Sequence, residues 1–273
     1  MSHYQNGFGL SEITLIASCI VGTVKGLAQV HDVVYIVCDR PSAILRFNAT
    51  THQRLADIDV KELIEPWDIA ACEQTSQLYV ADWEVRIWRV SADGADIKRW
   101  LPRSPSNTFK PHKLSVTSTR LLVTSQANKQ LIQFDARGDE LRRVQLPDNM
   151  EPWHAIESPT GTFIVSHINK QLKQHEVSEV DTDGEVLRQF VGSRLPSLGW
   201  PQHVAVDSRG NIFVADTYSR HILLLDPQLT LRRCIDEHQL KYQEPSRLCC
   251  MEQSGQLLVG YNGGVALFDV LRR

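Results

Sequence analysis

A repeat of 41 to 49 residues, anchored on a proline, constrains the fold of this chain more than any other feature. The anchored segments read EPWDIAA, KPHKLSV, EPWHAIE, WPQHVAV and EPSRLCC, and their prolines are Pro66, Pro111, Pro152, Pro201 and Pro245. A degenerate sixth copy, KGLAQVH, precedes them, with Leu27 aligned on Ile69. A repeat of this length is one supersecondary unit that buries its apolar face only by stacking on its neighbours. The chain is therefore predicted to be a repeat protein.

Each anchor is followed by a short strand, a polar turn, a second strand, a loop and a third strand, and a fourth strand follows in five copies. The second strands read VVYIVCD, SQLYVAD, RLLVTS, GTFIVS, GNIFVAD and GQLLVG. Short strands with Gly, Asp and Asn in the turns and no helical periodicity predict an all-β protein. Six units of four strands predict a six-bladed β-propeller, with four-stranded antiparallel blades around a central channel.

The two ends of the chain complement each other. The last copy stops after its third strand, at LRR, whereas the N-terminal strand at about residues 11–20 has no blade of its own. We expect this strand to complete the last blade and to close the ring, because closure leaves no free seam between blades. Residues 1–273 are then predicted to be a single propeller, with blades starting near 25, 66, 111, 152, 201 and 245.

Composition describes an ordinary globular protein, with 42% hydrophobic residues, 22% charged residues and a net charge of -3. This charge does not favour binding of the whole molecule to nucleic acid or anionic lipid. The apolar run at residues 13–24 lacks a basic leader and is too short to span a bilayer. The six cysteines form no CxxC pair, which favours free thiols in a reducing compartment. We therefore expect a cytoplasmic monomer with no membrane association.

The fifth copy, PQHVAVDSRGNIFVADTYSRHILLLD, resembles the NHL-repeat family of six-bladed propellers, and the second copy is similar through QLYVADWEVRIWRV. The resemblance covers nearly the whole chain in register. It implies a structural bridge within the loop between the second and third strands, from Asp82 to Arg86 and from Asp216 to Arg220. Because propellers host lyases, hydrolases and RNA- or protein-binding modules, the resemblance leaves function open.

Two loops of the same kind carry serine in place of the acidic residue, at Ser125 and Ser166. Their basic residues, Lys129 and Lys170, lie at the same four-residue interval. Because these lysines lack the acidic partner within the loop, we expect them to be free to contact a ligand.

In such a blade, the loop into the first strand and the loop between the second and third strands emerge on one face, here called the top face. The turns on the opposite, bottom face are short and acidic, as in EQTS and DSRG. The top segments collect aromatic, imidazole and basic side chains, which suit recognition. The predicted ligand-binding residues are Trp67, Asp68, Trp83, His112, Lys113, Lys129, Trp153, His154, His167, Lys170, His203, Tyr218, Arg220, Arg247 and Tyr261. Two long loops add Arg103 and Arg194, and an alternative for Trp67 and Trp153 is that they wedge between blades.

Standard catalytic motifs are absent, since the sequence has no GxSxG, GxGxxG, GK[ST] or HExxH. We therefore predict no catalytic residue and no cofactor. One constellation remains, here called the channel ring. It is the second residue after each anchor proline, expected to point toward the channel mouth: Asp68, Lys113, His154, His203 and Arg247. Two imidazoles with Asp68 or His112 could bind a divalent metal, but Lys113 and Arg247 would repel a cation, so no metal site is predicted.

These patterns predict a non-catalytic recognition module that binds a peptide or protein partner through the top face and channel mouth. Aromatic and imidazole side chains serve a protein partner without a strongly positive surface. An alternative is single-stranded RNA, bound by aromatic stacking between phosphate contacts. A second alternative is a metal-dependent propeller lyase or hydrolase.

Overall fold

The computed structural model describes residues 14–17, 23–39, 42–84, 86–100, 110–191, 198–236, 238, 240, 243–251 and 254–269. In these ranges the chain forms strands and turns, without helices. The strands make six separate four-stranded antiparallel sheets. The prediction of an all-β, six-bladed propeller is confirmed.

Five blades run from the inner to the outer strand in chain order. Blade 1 contains β2 (Val24–Val30), β3 (Val33–Cys38), β4 (Ala43–Asn48) and β5 (Ile58–Asp59). Blade 2 contains β6 (Pro66–Cys72), β7 (Gln77–Asp82), β8 (Ile87–Ser91) and β9 (Ile97–Trp100). Blade 3 contains β10 (Lys113–Thr117), β11 (Arg120–Ser125), β12 (Gln130–Phe134) and β13 (Glu140–Gln145). Blade 4 contains β14 (Met150–Glu157), β15 (Phe163–Asn169), β16 (Gln174–Val180) and β17 (Val186–Val191). Blade 5 contains β18 (Pro201–Val206), β19 (Ile212–Asp216), β20 (His221–Leu225) and β21 (Leu231–Ile235).

Blade 6 joins the two ends of the chain. It contains β22 (Arg247–Met251), β23 (Gln256–Tyr261) and β24 (Gly264–Asp269), and its outer strand is β1 (Thr14–Ala17). The strand β1 pairs antiparallel with β24, with Thr14 opposite Leu267. The predicted closure by the N-terminal strand is therefore confirmed, and the edge that β24 would otherwise expose is paired.

The apolar core lies between neighbouring blades. One cluster joins Tyr35 of blade 1 to Ile69 of blade 2, and a run of edge-to-face rings, Tyr79, Trp100 and Phe134, joins blades 2 and 3. Strand periodicity explains this arrangement, because alternate side chains point to opposite faces and so to opposite neighbours. The inner strands β2, β6, β10, β14, β18 and β22 contact one another in a closed circle around the channel.

The acidic residues of the bottom turns have structural roles. Asp207 Oδ1 accepts the amide hydrogens of Arg209 and Asn211 at 3.0 and 2.8 Å. The aspartates that open the turns between third and fourth strands bond amides two and four residues ahead in the same way: Asp135, Asp181 and Asp226. Aspartate is favoured in such turns because its short carboxylate reaches these amides. These contacts account for part of the acidic character of the bottom face.

Three of the cysteines are free thiols: Cys38, Cys72 and Cys234. Burial raises the pKa of Cys38 to about 12 and that of Cys234 to about 11. These two thiols are therefore protonated and weakly nucleophilic at neutral pH.

Among the residues described, no helix is both long and apolar enough to cross a membrane.

Candidate functional site

The channel ring connects neighbouring blades. An inner strand presents main-chain groups to the channel, and buried main-chain groups need hydrogen-bond partners. Asp68 Oδ2 of blade 2 accepts the amide hydrogen of Leu114 in blade 3 at 3.0 Å. His154 Nδ1 of blade 4 accepts the equivalent amide hydrogen, that of Val204 in blade 5, at 3.3 Å. Asp68 and His154 therefore have the same structural role in alternate blades.

The two basic side chains of the ring, Lys113 and Arg247, each donate to a main-chain carbonyl on an adjacent blade. Lys113 Nζ donates to the carbonyl oxygen of Trp67 at 2.6 Å. Arg247 Nε donates to the carbonyl oxygen of Lys25 in blade 1, and its Nη1 donates to that of Ser246 at 2.6 Å. Lys113 thus links blades 2 and 3, and Arg247 links blades 6 and 1.

Blade 1 has glycine at the ring position. A Cβ on Gly26 would lie 2.5 Å from the main-chain nitrogen of Ile69 and 2.8 Å from Ile69 Cγ2. No side chain fits there, because the backbones of blades 1 and 2 approach each other too closely. The ring is therefore formed by five side chains.

All five ring side chains are buried, in contrast to the expectation of a solvent-facing channel mouth. Burial lowers the pKa of His154 to about 4 and that of His203 well below its usual value. The two imidazoles stack with centroids 3.8 Å apart and planes 18° apart. Both are neutral at pH 7, and a protein partner on the top face does not reach them without rearrangement of the blades.

Donor atoms of Asp68, His154 and His203 lie within 4.8 Å of one another. The structure thus brings together the trio weighed for a metal. The chemistry opposes a cation, however, because His154 Nε2 donates to the Leu114 carbonyl at 3.3 Å while its Nδ1 accepts a main-chain amide. The guanidinium of Arg247 is a further positive charge near the histidines, whereas burial lowers the pKa of Lys113 well below its usual value.

The first aromatic cluster on the top face contains Trp67, Trp83 and His112. The ring of Trp67 stacks on that of Trp83, with centroids 5.4 Å apart and planes 20° apart. His112 meets the edge of Trp67 at 4.8 Å. Trp83 is 58% exposed, whereas Trp67 and His112 are half-buried. The Trp83 amide also donates to the carbonyl of Ile64, so the loop into β6 and the loop after β7 meet on one face, as predicted.

The second aromatic cluster contains Trp153, Trp200 and His175. The Trp153 and Trp200 rings lie 5.3 Å apart, and His175 stacks on Trp200 at 6.3 Å. Trp200 is 40% exposed, and Tyr218, in the loop after β19, is 80% exposed. Sequence reasoning missed Trp200 and His175 as site residues. The position of Trp200 directly before an anchor proline was a usable signal for it.

Both clusters have the same construction. A half-buried tryptophan after an anchor proline, Trp67 or Trp153, supports an exposed tryptophan, Trp83 or Trp200. Each inner tryptophan also contacts a ring in the segment that leads into the next blade, His112 for Trp67 and Trp200 for Trp153.

The expectation that Lys129 and Lys170 lack an acidic partner was wrong, and their contact with a ligand stays a prediction. Lys129 Nζ donates to the carbonyl oxygen of Asp148 at 2.5 Å and lies 3.9 Å from its carboxylate. Lys170 forms an ion pair with Glu151. Asp148 lies in the turn before β14 and Glu151 lies within β14, so the lysines find their carboxylates outside their own loops.

The two implied loop bridges had different outcomes. Arg86 pairs with Asp82 at 2.7 Å, which confirms the first bridge. In the described part of the chain, Arg220 forms its ion pair with Glu244 at 3.3 Å, so the second bridge was wrong. The Asp216 carboxylate accepts the amide hydrogens of Gly199 and Trp200, each at 2.7 Å. Asp216 therefore holds the chain that carries Trp200.

Two further predicted site residues do not lie on a binding surface. His167 is buried within blade 4, where its Nε2 bonds Ser178 Oγ at 2.8 Å and lies 3.7 Å from Glu176. Tyr261 is buried in the core shared by blades 5 and 6. Both side chains alternate toward the interior along their strands. Arg103 and Arg194 lie outside the described residues.

No protein-family model matches the sequence, and no curated protein sequence matches it either. Solved structures do match. The streptogramin B lyase structure is 12% identical with a TM-score of 0.66, covering 94% of this chain and 97% of that chain. A catalytically inactive virginiamycin B lyase from Staphylococcus aureus with quinupristin is 13% identical with a TM-score of 0.63, covering 94% and 99%. The nidogen/laminin complex is 16% identical with a TM-score of 0.63, covering 79% and 81%. At these identities the similarity shows the propeller fold and leaves function open.

Proposed function

We propose that this propeller is of the NHL type and is a non-catalytic recognition module that binds a peptide or protein partner through its top face. The observation that carries the proposal is the exposure of three large aromatic side chains on that face: Trp83 at 58%, Trp200 at 40% and Tyr218 at 80%. Tryptophan and tyrosine are the side chains that most often dominate the energy of protein interfaces.

The aromatic clusters favour binding because they are ordered before a partner arrives. Trp83 stacks on Trp67, and Trp200 lies against Trp153 and His175. A side chain that is already held loses less conformational freedom on binding, which improves affinity. The presence of nidogen/laminin among the structural neighbours adds support for a protein partner.

Charge pairing on the top face favours a protein over RNA. Four basic side chains of this face already pair with carboxylates: Arg86, Lys129, Lys170 and Arg220. Binding of RNA depends on cations that neutralise phosphates, and paired cations serve this poorly. A peptide needs only apolar and hydrogen-bonding contacts with the tryptophans and their rims.

A peptide-display library selected on the purified protein tests the proposal. The binding of selected peptides is then measured on a variant with Trp83→Ala, Trp200→Ala and Tyr218→Ala together. We expect affinity to fall by more than about tenfold, since interface aromatics commonly contribute 2 kcal/mol or more, an order-of-magnitude figure. The control is Leu187→Ala, which removes a 50% exposed side chain on the outer strand β17 and leaves the top face intact.

The outcome against the proposal is a set of selected peptides that bind the triple variant as tightly as the unchanged protein. A single-stranded RNA oligonucleotide titrated at low salt is the second arm. Tight, salt-sensitive binding of RNA that competes with the peptides would replace the protein partner with the nucleic acid.

A further inference from the structure

The central channel contains a cavity of about 590 Å³. Ligand pockets for small molecules have volumes of roughly 300–1,000 Å³. Inner strands of all six blades line the cavity, through β2, β6, β10, β14, β18 and β22. Its open end is formed by the turns that follow the inner strands, at Glu73, Ser118, Pro159 and Ser208. The cavity therefore opens at the bottom face, away from the aromatic clusters.

The channel ring closes the other end of the cavity. His154 and His203 lie at this end, whereas Asp68, Lys113 and Arg247 are not among the described residues that line the cavity. Burial lowers the pKa of His154 to about 4 and that of His203 well below its usual value. Both imidazoles are therefore neutral at pH 7, and the closed end presents no charged side chain to a ligand.

The wall between the two ends is mostly apolar. It is formed by inner-strand residues with aliphatic side chains, such as Ile69, Leu114, Val204 and Leu248. Apolar walls favour the transfer of a hydrocarbon or aromatic body out of water. The wall therefore suits a ligand with an apolar body that lies along the inner strands, beneath the ring.

The charged side chains at the open end are acidic. Among the described residues, the lining of the cavity contains Glu73, Glu157 and Asp207 and no lysine or arginine. Glu157 ends the inner strand β14, and the other two carboxylates belong to turns at the open end. The cavity thus combines an apolar interior with carboxylates at its mouth.

Only part of this negative charge is neutralised by the protein. Glu157 pairs with Arg120 at 2.8 Å. In the described part of the chain, Asp207 accepts hydrogen bonds from amide groups alone, those of Arg209 and Asn211. Amide donors keep a carboxylate ionised and do not cancel its charge. Because neither arginine lines the cavity, the mouth attracts a cation.

The exposed carboxylate of the mouth favours a cation that stays in contact with water. The Glu73 side chain is 54% exposed and meets His31, which is charged only when protonated, at 3.3 Å. An ammonium group is costly to dehydrate, so its best position is at the rim of an apolar site. The carboxylates and the apolar wall are arranged in this order from the open end inward.

We propose that the central channel binds a small amphipathic amine that enters from the bottom face. Its ammonium group lies among Glu73, Glu157 and Asp207 at the mouth, and its apolar body extends along the inner strands toward the channel ring. This site is separate from the top face and does not depend on a peptide partner.

Isothermal titration with octylamine, 1-octanol and octanoate tests the proposal, because the three probes have similar apolar bodies and differ in the charge of the head group. We expect octylamine to bind at least about fivefold more tightly than 1-octanol, and octanoate to bind more weakly than 1-octanol. Added sodium chloride is expected to weaken the binding of octylamine and to leave that of 1-octanol unchanged, because salt screens charges at an exposed mouth.

A charge variant at the mouth locates the ammonium group. Glu73→Gln keeps the size of the side chain and removes its charge, so we expect the octylamine affinity to fall about two- to threefold and the 1-octanol affinity to stay the same. The matched control is Glu185→Gln, which removes the same charge from an exposed side chain in the turn before β17, outside the cavity lining. The control is expected to leave both affinities unchanged.

A second variant probes the cavity itself. Ala71 lines the channel and is half-buried, so Ala71→Phe fills the space and is expected to abolish binding of octylamine and 1-octanol alike. The comparison of the three probes on the unchanged protein keeps the test decisive if Ala71→Phe does not fold.

Three results would overturn the proposal: no octylamine binding at millimolar concentration, equal affinity for octylamine and 1-octanol, or the same loss of octylamine affinity in Glu73→Gln and Glu185→Gln. The triple variant of the top face is expected to bind octylamine normally, and a loss there would move the amine to the aromatic clusters and refute the channel site. Normal octylamine binding without any peptide binding, or the reverse, distinguishes the two proposals.

Discussion

Buried histidines make this fold sensitive to mild acid. Burial lowers the pKa of His154 and His167 to about 4, and that of His112 to about 3. In the unfolded chain a histidine has a pKa of roughly 6.5. Because the folded-state values are the lower ones, the unfolded chain takes up these protons first. Stability is therefore present above pH 6.5 and is lost as the pH falls from 6.5 toward 4.

The size of the effect follows from proton linkage. Each such histidine lowers the free energy of unfolding by about 2 kcal/mol between pH 7 and pH 5. The three together remove about 6 kcal/mol, against a total of roughly 5–15 kcal/mol for a typical domain. Near pH 5 we therefore expect either that a large fraction of the protein is unfolded without denaturant, or that a low concentration of urea is enough to unfold it.

Urea unfolding at pH 7, 6 and 5, followed by tryptophan fluorescence, measures this loss. His154→Asn is expected to lower stability at pH 7, because it disturbs two hydrogen bonds between blades. This variant takes up one proton fewer on unfolding. The slope of its free energy of unfolding against pH is therefore expected to be smaller by about 1.4 kcal/mol per pH unit. The control His31→Asn changes an exposed histidine and is expected to keep the full pH dependence. The reasoning is refuted if stability is flat from pH 7 to 5, or if His154→Asn retains the slope of the unchanged protein.

Substitutions at three further positions test contacts between blades, each by urea unfolding at pH 7. Gly26→Ala places a Cβ against the Ile69 backbone and is expected to lower the free energy of unfolding by about 1–3 kcal/mol or more. An unchanged urea midpoint would show that blades 1 and 2 can separate there. Asp68→Ala leaves the Leu114 amide unpaired and is expected to lower the free energy of unfolding by about 1–3 kcal/mol, whereas Asp68→Asn keeps an acceptor and is expected to cost less; equal losses would contradict the assigned hydrogen bond. Tyr35→Phe removes a 2.8 Å hydrogen bond to a carbonyl of blade 2 and is expected to lose about 1 kcal/mol, a value near zero being the contrary result.

The blades could be predicted because their signals are local. Strands of alternating polarity and turn residues recur in the copies, and five of the copies carry an anchor proline. Each strand then pairs with the next strand in the chain across a short turn. The closure could also be predicted, since the last copy lacks a fourth strand and the residues around Thr14 had no other sheet to join. The first loop bridge, from Asp82 to Arg86, is local as well.

The site was predicted less well because its contacts join segments that are separated in the sequence. Lys129 and Lys170 were expected to lack an acidic partner, yet Lys129 lies close to Asp148, in the turn before β14, and Lys170 pairs with Glu151, within β14. His167 was assigned to the top face, although its side chain alternates into the interior of blade 4. The position of a residue in a loop or at the end of a strand does not by itself predict which residues its side chain contacts.

The amino-acid sequence by itself determines the number of blades, the strand order within each blade and the aromatic character of the top face. The tertiary structure alone decides that the channel ring is buried, that Asp68 and His154 serve main-chain amides, and that a cavity remains beneath His203. The physical reason is the sequence distance of these contacts. They join residues separated by 46 to 50 positions, and such pairs meet only when the ring of blades has closed.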